Sequence, residues 1–192
     1  AEMFGRPKKE IQIHHKYEAD VWIVEADEGQ IEQVLLNFYV NAWQAMPAGG
    51  KLFLETENVV LDENFVRPYK VKPGRYVTVS VTDTGIGMSE ETLQRIFEPF
   101  FTTKEMGRGS GLGLASAYGI IKNHGGFITV SSQKGRGSNF TVYMPCSETY
   151  LTREAAPEDL VLKGSETVLI VDDEEIVLDV GVEILKTLGY QV

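Results

Sequence analysis

One long helical pattern flanked on both sides by strand patterns restricts the fold of this chain more than any other feature. Two β-rich runs, at residues 11–18 and 21–26, come first. An apolar stripe at helical spacing then runs along residues 31–46, formed by Ile31, Val34, Leu35, Phe38, Ala42 and Ala45. Strand patterns return at residues 51–61 and 75–83, where Val77, Val79 and Val81 alternate with polar side chains. This order predicts a mixed α/β fold.

The later part of the chain again combines helix and strand patterns. Residues 62–74 are predicted to form a polar loop. The predicted elements that follow are a short helix at 89–97 with Ser89 as its N-cap, a long helix at 112–123, and strands at 127–132 and 139–145. A glycine-rich connection joins the last two strands and indicates a hairpin.

Composition excludes several classes of protein. The chain has 192 residues, 43% of them hydrophobic, and its only cysteine is Cys146, so no intrachain disulfide and no cysteine-based zinc site can form. Most of the net charge of -10 lies after Cys146, where 11 residues are acidic and 3 basic. The charge argues against nucleic-acid binding and direct membrane contact. No segment approaches the length of a membrane span, and we expect a cytoplasmic location, with any membrane anchor elsewhere in a parent protein.

Three segments carry chemistry. Asn37 and Asn41 lie one helical turn apart, and their amide oxygens suit a Mg²⁺ that carries nucleotide phosphates, although ordinary polar-face asparagines would show the same spacing. Asp83 ends a strand and is followed by a turn with Gly85 and Gly87. The carboxylate could accept from an exocyclic amine while the glycines let a flat ring approach the backbone, but the same residues would also form an ordinary tight turn capped by the aspartate. The glycine-rich residues 107–114 enter a helix, where backbone N–H groups can face an anion. Their spacing is not that of a Walker loop.

The order of these segments resembles the ATP-binding catalytic domain of sensor histidine kinases, of the GHKL or Bergerat type. Their N, G1, F and G2 boxes correspond to the asparagine helix, to residues 83–88, to residues 97–101 and to residues 109–114. The resemblance covers residues 10–146. It implies an α/β (α+β) two-layer sandwich, in which helices cover one face of a mixed β-sheet and ATP lies beside a mobile lid.

The resemblance also implies roles for individual residues. Asn41 would bind Mg²⁺ with Asn37 beside it, and Asp83 would accept from the adenine amino group in a pocket shaped by Gly85 and Gly87. The backbone of the lid would face the phosphates at Gly109, Gly111, Leu112 and Gly113. Ser138 would lie near the adenine. Lys104 resembles the lid lysine of the nitrogen-regulation branch of these kinases and would neutralise the γ-phosphate. Arg108 is a second candidate for that role. Both residues are equally consistent with ordinary solvated charges on a loop.

The acidic tail resembles the first strand and helix of a response-regulator receiver domain. Asp172 and Asp173 would form part of its Mg²⁺ site, although an acidic helix N-terminus is an alternative interpretation. We therefore expect a catalytic domain at residues 1–146, a linker at 147–164 and the truncated start of a receiver, a βα unit, at 165–192. If ordered, that unit should bury Val168, Leu169, Ile170, Ile184 and Leu185.

The predicted function is that of a hybrid sensor histidine kinase. The domain would transfer the γ-phosphoryl group of ATP-Mg²⁺ to a histidine on a dimerisation helix that this chain lacks, and its partners would be that helix, a receiver domain or cognate response regulator, and a second copy of the parent kinase. His14 and His15 lie in a strand pattern, where adjacent side chains point to opposite faces, so we expect one to be exposed and the other packed, and neither to be an acceptor. A GHKL-type ATPase, a non-catalytic nucleotide-binding module and a serine-directed kinase of the anti-sigma type are the alternatives. The ATPase is disfavoured because those relatives typically carry a glutamate where Asn37 stands, and the serine kinase because of the receiver-like tail.

Overall fold

Five strands in the part of the chain that the structure describes form one mixed sheet. The computed structural model describes residues 10–104, 110–147, 166–169, 171, 185–186 and 189–191. The strands are β1 (Ile11–Lys16), β2 (Gly50–Leu61), β3 (Gly74–Asp83), β4 (Phe127–Gln133) and β5 (Gly137–Pro145). Their order is β1-β2-β3-β5-β4, with β1 parallel to β2 and all other neighbours antiparallel. The predicted mixed sheet is confirmed.

Within residues 10–104 and 110–147, four helices accompany the sheet. They are α1 (Glu28–Ala45), α2 (Glu63–Val66), which continues into a 3₁₀ turn at Arg67–Tyr69, α3 (Glu90–Arg95) and α4 (Gly113–Asn123). Helix α1 begins three residues before the predicted segment because Asp27 caps it, accepting a hydrogen bond from the backbone N–H of Gln30. Ser89 caps α3 as predicted.

The main core lies between the sheet and the pair of helices α1 and α4. Phe38 of α1 is 1% exposed and stacks on Phe140 of β5, with ring centroids 5.0 Å apart. Helix α4 contributes Ala117 and Ile121 to the same core, and β3 contributes Val81. Helices therefore cover one face of the sheet, as in the expected two-layer sandwich.

The predicted polar loop at residues 62–74 is wrong, because α2 and the 3₁₀ turn occupy most of it. Aromatic side chains explain the difference. Tyr69 stacks on Phe127 with ring centroids 4.2 Å apart, and Phe127 stacks on Tyr143 at 4.4 Å. Alternation along the strands places Phe127 on the face opposite its core neighbour Ile128, so this segment covers part of the second face.

Two expectations at the start of the chain are wrong. Residues 21–26 do not form a strand, since only Val24 makes an isolated bridge, to Cys146. We expected one of the two adjacent histidines to be packed, but His14 and His15 are both exposed, although the His14 ring stacks on Phe53 of β2 with ring centroids 5.0 Å apart.

The chain divides into two compact units, Ala1–Glu148 and Thr149–Val192. In the second unit Leu169 is 87% exposed, so its expected burial is wrong, whereas Val168 and Leu185 are half-buried. Ile170 and Ile184 lie outside the described residues. Among the helices that the structure describes, none is long and apolar enough to cross a membrane.

Candidate nucleotide-binding site

Helix α1 presents two asparagine side chains toward the start of α4. Asn37 and Asn41 are both half-buried and lie one turn apart. A methyl group added to Gly113, the first residue of α4, would lie 2.9 Å from Asn37 Oδ1. The start of α4 therefore lies close to the Asn37 amide, and the structure brings both predicted segments together.

Asp83 is a buried carboxylate at the end of β3. It is 4% exposed, and its Oδ1 accepts a hydrogen bond of 2.7 Å from the backbone N–H of Gly85. Ser138 lies opposite Asp83 in the register of β3 and β5. Burial raises the pKa of Asp83 above its ordinary value, while hydrogen bonds from the Gly85 N–H and from the Ser138 N–H and hydroxyl oppose that rise. A desolvated acceptor of this kind suits an exocyclic amine.

The glycine turn after Asp83 is clamped between α1 and the β4–β5 hairpin. The backbone N–H of Ile86 donates to the carbonyl of Ala45, the last residue of α1, at 2.9 Å. The Ile86 carbonyl accepts from the N–H of Gly135 in the hairpin at 2.7 Å. Gly87 has a φ of 61° and faces the carbonyl of Gln133 so closely that a side chain would collide with it. The turn is therefore fixed on both sides.

An open groove with a volume of about 350 Å³ lies where β3 ends beside the β4–β5 hairpin. Asp83, Ser132 and Ser138 line it, together with Arg136 and Asn139. None of the residues that line this groove belongs to α1, to the glycine turn or to α4, so the groove covers only the strand side of the site around Asp83.

The described ends of the glycine-rich segment meet each other. The N–H of Phe100 donates to the carbonyl of Gly111 at 3.0 Å. Gly111 has a φ of 67°, and a side chain there would collide with the backbone of Phe100. Leu112 is the N-cap of α4 and makes no side-chain hydrogen bond to the helix, so the first N–H groups of α4 lack the usual capping acceptor. Gly109 and Arg108 lie outside the described residues.

Lys104 extends to α1. Its Nζ donates to Asn41 Oδ1 at 2.9 Å and to Gln44 Oε1. Desolvation lowers the pKa of Lys104 below its usual value, although the residue as a whole is exposed. The structure therefore brings Lys104 beside Asn41, the predicted Mg²⁺ ligand.

Metal-ligating carboxylates do not cluster here. Across the ranges that the structure describes, no group of three or more His, Cys, Asp or Glu side chains could hold a metal ion. Asp172 and Asp173 lie outside those ranges. The Asn41 oxygen fits a Mg²⁺ that arrives with phosphate ligands, because a single amide can complete such a coordination shell.

Sequence reasoning missed two residues of the site. Gln44 lies three positions after Asn41 on the same face of α1, but a single glutamine at that spacing is not a signal on its own. Ser132 accepts from the N–H of Met88 at 2.8 Å and contacts the Ser138 hydroxyl at 3.0 Å. Only the register of the β4–β5 hairpin reveals that contact, so no sequence pattern pointed to Ser132.

Fold and site together define an ATP-binding domain of the histidine kinase type. A family profile described as "Histidine kinase-, DNA gyrase B-, and HSP90-like ATPase" matches residues 26–148, and the chain belongs to this family.

Two curated relatives are sensor kinases. The chain is 43% identical over 194 residues to the sensor kinase CckA of Brucella abortus, covering 96% of this chain and 20% of that protein. It is 39% identical over 141 residues to the sensor histidine kinase ZraS of Escherichia coli K12, covering 73% of this chain and 27% of that protein. The chain thus spans only about a quarter of the length of these relatives or less.

Solved structures give the same assignment. The catalytic domain of histidine kinase ThkA, in a nucleotide-free form, aligns with a TM-score of 0.56 and 33% identity, covering 71% of this chain and 79% of that one. Full-length ShkA in complex with AMPPNP aligns with a TM-score of 0.56 and 28% identity, covering 94% of this chain and 34% of that one. The predicted fold and the predicted histidine kinase domain are therefore confirmed.

Proposed function

We propose that this domain transfers the γ-phosphoryl group of ATP to a histidine side chain on a dimerisation helix supplied by the parent kinase. The observation that carries the proposal is the convergence of the Asp83 turn, the Asn37–Asn41 face of α1 and the start of α4. In the transfer, the bond between the γ-phosphorus and the β–γ bridging oxygen breaks, a bond to a histidine nitrogen forms, and ADP leaves.

Each part of the site has a separate task in this proposal. Asp83 accepts a hydrogen bond from the adenine amino group. Because the turn holds this carboxylate in place, a base that presents a hydrogen-bond acceptor to Asp83 instead of an amino group would be rejected. Gly111, Leu112 and Gly113 provide backbone N–H groups for the phosphates. Ser138 supports Asp83 from β5. Phosphoryl transfer depends mainly on such positioning and charge neutralisation, so no nucleophile of this chain is required.

Magnesium belongs to the proposal as a partner of ATP. Bound with the nucleotide, it would neutralise charge on the β- and γ-phosphates. Asn41 would hold it, with Asn37 adjacent. The Lys104 ammonium donates to that same Asn41 oxygen and would leave it when Mg²⁺ binds there, so that its positive charge turns to the phosphates from the lid side.

Hydrolysis is the weaker candidate. A water-activating enzyme needs a general base near the terminal phosphate, and the amide of Asn37 is a poor base near pH 7. Asn37 instead lies beside Gly113 at the start of α4, where an amide packs without the cost of burying a charge. Transfer to a histidine, which is itself a nucleophile, requires no such base.

The domain organisation is also a proposal. Residues 1–146 would form the catalytic domain, 147–164 a linker and 165–192 the start of a receiver whose Mg²⁺ site includes Asp172 and Asp173. The length and identity of the match to CckA, which continues through the acidic tail, support this interpretation. The parent would act as a homodimer that passes phosphate to a receiver or response regulator.

A phosphotransfer assay tests the proposal. The 192-residue chain is mixed with γ-labelled ATP, Mg²⁺ and a separately purified dimerisation-helix protein from the Brucella CckA relative, and a His→Gln variant of that helix is the control. Label should appear on the helix, stay in alkali, be lost in acid and be absent from the control. Release of free phosphate without labelled helix would instead establish an ATPase, and nucleotide binding without either product would establish a regulatory module.

A further inference from the structure

Gln44 contacts the Lys104 ammonium although nothing in the sequence patterns assigned it a role. Asn37, Asn41 and Gln44 occupy positions i, i+4 and i+7 of α1, which lie on one face of the helix. Lys104 Nζ donates to the side-chain oxygens of both Asn41 and Gln44. Two turns of a rigid helix therefore fix the position of the amine at the end of a long flexible side chain.

Both oxygens that hold the ammonium belong to neutral amides. The ion pairs recorded among the described residues are Lys16–Glu57 and Arg95–Glu98, and neither includes Lys104. An amide accepts a hydrogen bond without cancelling the positive charge of the donor. The charge of Lys104 thus stays available to an anionic ligand that approaches α1.

We infer that Gln44 is a positioning residue that holds the Lys104 ammonium next to Asn41, so that it meets the terminal phosphate of bound ATP. This inference rests on the proposed function. It attributes the selectivity of the domain for ATP over ADP to the pair of Gln44 and Lys104. A free lysine loses much rotamer entropy when it orders on a phosphate. Gln44 reduces that loss because it orders the side chain beforehand.

The effect is specific for the terminal phosphate. Lys104→Met removes a charged hydrogen bond to that phosphate, and we expect the ratio of the ADP and ATP dissociation constants to fall about tenfold or more. Gln44→Met keeps the length of the side chain and leaves Lys104 charged but unpositioned, so the ratio should fall about three- to tenfold. ADP affinity should change little in both variants.

The test is calorimetric titration of the 192-residue chain with ADP and with a non-hydrolysable ATP analogue, both with Mg²⁺. The variants are Gln44→Met, Lys104→Met and the double variant. Gln33→Met serves as the matched control, because Gln33 is an exposed glutamine of the same helix. Circular dichroism checks that each variant is folded, and Gln44→Ala replaces Gln44→Met if that variant is not.

A double-mutant cycle separates positioning from general structure. If Gln44 acts through Lys104, Gln44→Met should lower the ratio in the wild-type background and have no further effect beside Lys104→Met. The inference would be overturned if Gln44→Met left the ratio of the ADP and ATP dissociation constants unchanged, or if it weakened ADP and ATP binding equally. It would also be overturned if Gln44→Met lowered that ratio as strongly beside Lys104→Met as it does in the wild-type background. Loss of all nucleotide binding by the folded wild type would contradict the proposed function itself, so the two failures are distinguishable.

Discussion

Gly137 marks the tightest approach between the β4–β5 hairpin and the Asp83 turn. A Cβ atom there would lie 1.9 Å from the carbonyl oxygen of Asp83, whereas ordinary contacts begin at 3.4 Å. Gly135, two residues earlier in the same hairpin, has nothing within 4 Å of its Cβ position. Both have a positive φ, 95° at Gly137 and 79° at Gly135. The pair therefore separates backbone strain from close packing.

Gly137→Ala should destabilise the domain more than Gly135→Ala. Each alanine costs about 1–2 kcal/mol for the left-handed backbone. Relief of the clash at Gly137 requires the start of β5 to move away from Asp83 by about 1.5 Å, the difference between the two distances. That movement breaks about two ladder hydrogen bonds, worth about 1 kcal/mol each. We expect a loss of about 3–4 kcal/mol against about 1–2 kcal/mol.

Urea unfolding followed by circular dichroism measures both free energies, and calorimetry with an ATP analogue measures binding. Gly137→Ala should also lose nucleotide binding, because the movement separates Ser138 from Asp83, while Gly135→Ala should retain it. Equal destabilisation by the two alanines, with binding preserved in both, would refute the argument that this contact shapes the pocket.

Three further predictions concern the core, α4 and the buried carboxylate. Phe38→Ala should lower the free energy of unfolding by about 3–5 kcal/mol because it leaves a cavity in the core. Leu36→Ala, on the exposed side of α1, should change that free energy by less than about 1 kcal/mol. Urea unfolding of both variants tests the difference. Gly119→Ala, in the interior of α4 with open space around its Cβ position, should raise the melting temperature through a gain of about 0.5–1 kcal/mol, and a lower melting temperature would contradict this. The pKa of Asp83 is raised in the folded state, so its contribution to stability is complete below its unfolded pKa and is lost as pH rises through the raised folded value. The stability of the wild type relative to Asp83→Asn should therefore fall across that pH window, and a flat difference in urea unfolding at several pH values would contradict the burial argument.

The sequence predicted those parts of the fold that depend on local periodicity. The stripe that contains Phe38 identified α1, and the valine alternation identified β3, because each pattern matches the geometry of its own element. The segment around Tyr69 was wrong because its order comes from stacking on Phe127, which is distant in the sequence. Tertiary contacts of this kind leave no periodic pattern.

In the site, too, residues in local motifs were predictable and residues identified only by tertiary contacts were not. Asp83 was identifiable because a carboxylate followed by closely spaced glycines at a strand end is a local motif. Gln44 was overlooked because a single glutamine on a helix is common, and only its contact with Lys104 distinguishes it. Ser132 depends on the hairpin register, which decides whether its hydroxyl faces Ser138 or solvent.

Calorimetric titration with a non-hydrolysable ATP analogue, with and without Mg²⁺, tests the central claim most directly. The wild-type chain should bind the analogue, and Mg²⁺ should strengthen binding. Asp83→Asn should weaken binding about tenfold or more, because its amide places a donor against the adenine amino group. Asn41→Ala should abolish most of the Mg²⁺ effect. The absence of binding by a folded wild type, or equal binding by folded Asp83→Asn, would contradict the account.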